Sequence, residues 1–96
     1  MILAWRLIMV TIVVEPLAQG WTVRAEGVAN YLVFRSGSRA EDTAKALALR
    51  LAGAGEPVRL QLRLRNNDVA ARFICLPPLA LDEGPRLINL PERGYR

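Results

Sequence analysis

Residues 58 to 65 read Val-Arg-Leu-Gln-Leu-Arg-Leu-Arg, a strict alternation of apolar and polar side chains. A period of two sends successive side chains to opposite faces of an extended strand, so this segment belongs in a sheet with one dry face and one wet face. Val58, Leu60, Leu62 and Leu64 point to a core, while Arg59, Gln61, Arg63 and Arg65 point away from it. The rest of the chain must supply that core.

The first supplier is the run Leu7 to Glu15, rich in β-branched residues and apolar at nearly every position. A strand apolar on both sides is central or covered. The run is too short for a membrane span of about 20 residues, and Glu15-Pro16 closes it. Arg6 lies inside the apolar stretch and Pro16-Leu17-Ala18 makes a poor cleavage site, so neither a secretory leader nor a membrane anchor is expected. Met9 offers an alternative start, which would leave residues 1–8 as a loose arm. Pro16 to Gly20 predicts a turn, then Trp21 to Ala25 a second strand. Glu26 to Asn30 predicts another turn and Tyr31 to Arg35 a third strand, all joined as an antiparallel meander.

One helix follows. Ser38-Arg39-Ala40-Glu41 has capping-box spacing, and Gly53 after Ala52 supplies a left-handed stop. Ala40, Ala44, Leu47 and Leu51 predict its packing stripe, widened by Thr43 and Ala48. Arg39, Asp42, Lys45 and Arg50 face water, and Glu41 with Lys45 makes a favourable pair one turn apart. The alternating strand comes next, then a turn at Asn66-Asn67-Asp68 and a last strand from Val69 to Leu76. Pro77-Pro78 ends the ordered pattern, and residues 79–96, with Pro85, Pro91, Gly84 and Gly94, read as an irregular tail. Leu79, Leu81, Leu87, Ile88 and Leu90 are its docking candidates.

At 96 residues the chain has room for one core. The expected fold is therefore a single α+β domain over residues 1–78, ordered β-β-β-α-β-β, with one helix packed on one face of a mostly antiparallel sheet. That leaves the second face to be explained. Alternation assigns it Thr22, Arg24, Tyr31, Val33, Arg35, Arg59, Gln61, Arg63, Arg65, Arg72 and Ile74. Trp21, Val23, Leu32, Phe34, Val69, Ala71, Phe73 and Cys75 join the aliphatics of the alternating strand on the inner face.

Several chemistries are closed to this chain. It has no histidine and one cysteine, Cys75. That excludes Ser-His-Asp and Cys-His catalysis and zinc sites of the usual Cys/His type within one chain. A lone thiol forms no internal disulfide and fits a reducing cytoplasm. Cys75 alternates with core positions and reads as an inert buried thiol, Asp82-Glu83 as a solvated pair, and Gly53-Ala54-Gly55 as a helix stop rather than a phosphate loop. No enzymatic activity, cofactor or metal is expected.

Thirteen basic residues, of which only Lys45 is lysine, stand against nine carboxylates, for a net charge of +4. An Arg-rich sheet face carrying Arg24, Tyr31, Arg35, Arg59, Gln61, Arg63, Arg65 and Arg72 suits three uses. It can be a dimer or partner interface, a solvated surface whose arginine stems cover the sheet, or a platform for single-stranded nucleic acid.

Trp21 and Val23, Phe34, and the helix run Ala40-Glu41-Asp42-Thr43-Ala44-Lys45-Ala46-Leu47-Ala48 carry a resemblance across residues 21–76. This segment resembles small bacterial strand-strand-helix-strand domains of unknown function, a likeness that implies no activity, cofactor or catalytic residue. The expectation is a small basic bacterial protein of the cytoplasm. It acts as a non-catalytic interaction module, as a homodimer or small homo-oligomer, with nucleic-acid binding through the open face as the alternative.

Overall fold

The computed structural model describes residues 9–66 and 68–90. The apolar run forms β1 (Val10–Leu17), followed by β2 (Gly20–Ala25), β3 (Leu32–Phe34), the helix α1 (Gly37–Gly53), β4 (Val58–Arg63), β5 (Val69–Leu76) and β6 (Arg86–Leu90). The six strands make one sheet in the order β3-β2-β1-β4-β5-β6. All neighbours are antiparallel except β1 and β4, which run parallel at the centre. Two consecutive meanders thus meet along β1 and β4, and α1 carries the chain from one to the other. The expected order β-β-β-α-β-β is present, with a sixth strand after it.

That sixth strand corrects the reading of residues 79–96 as an irregular tail. Arg86–Leu90 pairs with β5, matching Ile74 to Ile88 and Cys75 to Leu87. Pro85 and the glycine before it masked the pattern, because strand-breaking residues next to a five-residue strand look like continued loop. Residues 91–96 and the suggested arm at 1–8 lie outside the described residues, as do Leu7, Ile8 and Asn67.

Strand ends also differ from expectation. The first hairpin turns at Ala18-Gln19, so Pro16 lies within β1, opposite Trp21. The Glu26 N–H donates to the Thr11 carbonyl. By antiparallel alternation, residues 11, 13, 15 and 17 therefore bond β2 while 12, 14 and 16 face β4. Pairing with β4 stops at Val14 and Leu62, so the missing N–H of Pro16 costs no ladder bond. β4 ends at Arg63, and Leu64, expected in the core, is 44% exposed. The cause is a register shift in which Leu62 pairs with Ala71 but Arg63 pairs with Val69. The extra residue, Ala70, is a bulge that sets Val69 opposite Arg63 instead of on the inner face.

The helix cap sits two residues before the expected serine. Ser36 is extended, with φ −112° and ψ 133°, and its hydroxyl accepts the Arg39 N–H at 3.2 Å. Ser38 falls inside the first turn, and Gly37 can sit there because Trp21 leaves no room for more: a Cβ at residue 37 would come within 2.9 Å of the indole Cε2. At the other end the left-handed residue is Gly55, with φ +103°, not Gly53. Gly55 N–H donates to Ala52 O and Glu56 N–H to Leu51 O, the pair of bonds that closes a Schellman turn.

Four alanines, Ala40, Ala44, Ala48 and Ala52, have no exposed surface and form the contact line of α1. Leu47 and Leu51, expected on that line, flank it and are partly buried. Small residues let the helix lie close to Ile12, Val14, Val23, Val58, Leu60, Phe73 and Cys75, the inner face of the sheet. Lys45 does not simply face water. It pairs with Glu41 at 2.9 Å and its ammonium lies 4.8 Å from the Phe73 ring centroid, closing the β5 side of the helix. Among the described residues, no helix is long and apolar enough to cross a membrane.

Candidate functional site

Register assigns the face away from the helix. Val13 is paired with Arg24 on one side and Gln61 on the other, Gln61 with Arg72, Arg59 with Ile74, and Thr22 with Val33. Paired residues share a face, so Arg24, Arg59, Gln61, Arg72, Thr22, Val33 and Ile74 stand together as alternation predicts. Arg63 joins them, its Nη2 donating to Gln61 Oε1 at 3.4 Å. β6 adds three residues that the sequence reading missed, Arg86, Ile88 and Leu90, through their pairing with Leu76, Ile74 and Arg72. The signal for them was the apolar pattern Leu87, Ile88, Leu90, but its strand register needed a partner to become visible.

Three of the candidate residues lie elsewhere. Tyr31 and Arg35 flank β3 outside its ends. Tyr31 borders a groove of about 190 Å³ with Val23, Val28, Leu32 and Leu47. Arg65 sits past the end of β4, where its Nη1 donates to the Leu17 carbonyl and its guanidinium lies 5.8 Å from the Trp21 ring centroid. It therefore ties the β4–β5 turn to the first hairpin. The turn itself is closed by Asn66 and Asp68, the Asp68 N–H donating to Asn66 Oδ1 and the Leu64 N–H to Asp68 O.

The centre of the open face is dense. Val13 is 1% exposed, and Thr11 and Thr22 are also buried. Val13 lies between two long side chains, Arg24 and Gln61, whose stems can lie over it. Arg24 is in turn held by Glu15, Nε to Oε1 at 3.3 Å, which locally neutralises it. Among the described residues, the aromatics Trp21, Phe34 and Phe73 belong to the helix-side cluster. None of them offers a stacking surface beside these arginines.

Exposed apolar side chains lie elsewhere: Leu79 and Leu81 in the loop between β5 and β6, and a group at the β3 edge. Val28, Tyr31, Leu32 and Val33 are each more than half exposed and are consecutive or nearly so along the β3 edge. The helix lies over the middle strands, so Leu32, on the helix side of the sheet, is only half covered. Of the exposed positions in the opposite edge strand β6, Arg86 and Asn89 are polar and only Ile88 is apolar.

Burial raises the Cys75 thiol above its ordinary range. With no exposed surface, it packs as a small apolar side chain. Among the described residues, no three carboxylate or thiol groups gather as a metal ion would need. Comparison with protein-family models, with curated proteins and with solved structures returns no match for this chain.

Proposed function

We propose that this chain is a non-catalytic module that acts by self-association through the β3 edge. The supporting observation is the exposed cluster of Leu32 and Val33 in β3 with Val28 and Tyr31 just before it, on a strand that has one unpaired side among the described residues. An edge of this kind offers free main-chain donors and acceptors together with apolar surface, the two ingredients of strand addition. The lone buried thiol is at home in a reducing compartment, so the cytoplasm is its proposed location. Three strand residues bury little surface, and the association is expected to be weak and concentration-dependent. Light scattering across an eluting peak tests it: the mass should rise from monomer towards dimer as loading increases. A strict monomer at the highest soluble concentration would overturn the reading.

The second reading is binding of a polyanion by the open face, supported by the alignment of Arg59, Arg63, Arg72 and Arg86 there. Phosphate contacts release counterions, so such binding should weaken steeply with salt. Fluorescence anisotropy with short single- and double-stranded oligonucleotides, repeated on Arg59→Ala plus Arg72→Ala, decides this reading. Unchanged affinity in the double variant, or no binding at low salt, removes it.

A further inference from the structure

We infer that the partner of the β3 edge is a second copy of this chain, joined across a two-fold axis through Val33 into one continuous twelve-stranded sheet. This rests on the proposed self-association and specifies its geometry. The first step is which way the main chain points. Thr22 and Arg24 exchange their bonds with β1, because the hairpin register fixes odd residues of β1 to even residues of β2. Trp21 and Val23 therefore bond β3, through Phe34 and Leu32. That leaves the N–H and C=O of Val33 directed out of the sheet edge, with its side chain 60% exposed.

The second step is self-complementarity, which an isologous contact requires. With Val33 on the axis, antiparallel pairing sets Leu32 of one copy beside Phe34 of the other, twice, on the helix side. Val33 meets its own counterpart on the open side. Carried one residue past each end of β3, the same register would set Tyr31 of one copy level with Arg35 of the other, an aromatic against a guanidinium rather than two like charges. A two-fold contact through a patch of one charge sign would repel itself; here the central residues are uncharged and the flanking ones are complementary. The third step is the contrast with the other edge. β6 is preceded by Pro85, carries Arg86, and is followed in the sequence by Pro91, devices that discourage strand addition. The β3 segment from Asn30 to Gly37 contains no proline, and its exposed strand residues are apolar.

Cysteine scanning tests the register. Residues facing each other in a hydrogen-bonded antiparallel pair have Cα atoms about 5.5 Å apart, within disulfide reach. Val33→Cys should give a covalent dimer on a non-reducing gel after mild oxidation, and Leu32→Cys and Phe34→Cys should give at least tenfold less. Cys75 is buried and should give none in the unaltered chain. Strongest cross-linking at residue 32 or 34, or none at any of the three from a protein that light scattering shows to be a dimer, overturns this geometry while leaving self-association standing. A monomeric parent protein overturns both. Val33→Pro supplies an independent arm. Its lost N–H points to solvent, so the monomer should keep its circular dichroism spectrum while dimer is lost; a folded variant that still dimerises overturns the proposal.

Discussion

On the helix side of the sheet, four alanines without exposed surface hold α1 close over Ile12, Leu60 and Cys75. On the opposite side, Val13 reaches nearly the same burial among Arg24, Gln61 and Thr22, all longer or more polar, with no helix above it among the described residues. The first face is dry because shapes fit, and it fits only if each residue keeps its size. The second is buried at its centre beside the long side chains of Arg24 and Gln61, and long side chains can settle in more than one way. Equal burial therefore conceals unequal tolerance.

The contrast can be broken by substitution. Leu60→Ala removes a fully buried side chain under the helix and should cost about 2–5 kcal/mol in urea or thermal unfolding. Ala48→Leu adds volume on the buried alanine line that faces the sheet and should cost about 1–3 kcal/mol. Were it harmless, the alanine line would not be setting the helix position. Val13→Ala should cost about 1–2 kcal/mol, less than Leu60→Ala because neighbouring stems can settle into the space. Arg59→Ala, at an exposed site on the same face, should stay within about 0.5 kcal/mol of the parent.

Cys75 sharpens the comparison by pH. Burial holds its folded-state pKa above the ordinary thiol value of 9.0. The unfolded chain loses that proton first, so this contribution is complete below pH 9.0 and declines as the pH rises from there through the folded-state value. Cys75→Ala should flatten that alkaline decline, and the native thiol should stay unreactive to a thiol reagent until the protein unfolds.

The part of this architecture legible in the sequence is the part written in local periodicity. The alternation of residues 58–63, the doubly apolar β1 and the alanine-rich helix each announce their own type, and β5 runs from Val69 to Leu76 as its pattern predicts. What periodicity does not carry is partnership. The Ser36 cap is obscured by Ser38, which has the more familiar spacing to Glu41; the extended backbone of Ser36 and its hydroxyl on the Arg39 N–H distinguish them. The bulge at Ala70 depends on how β4 and β5 meet, and β6 depends on β5 being there to pair with. For the same reason the arginines of the strands were placeable in advance, while Arg65, Tyr31 and Arg35 were not: each lies past a strand end.

The parallel contact of β1 with β4 also makes a seam. Every other strand pairing joins neighbours in the chain, so each meander can assemble over short loops, whereas the seam closes a loop containing two strands and the helix. Closure of long loops is what slows folding. The chain is thus expected to fold as two quick halves and one slow docking step, and cutting it in the loop between α1 and β4 should yield two fragments whose recombination restores both the β1–β4 pairing and the packing of α1 on β4 and β5.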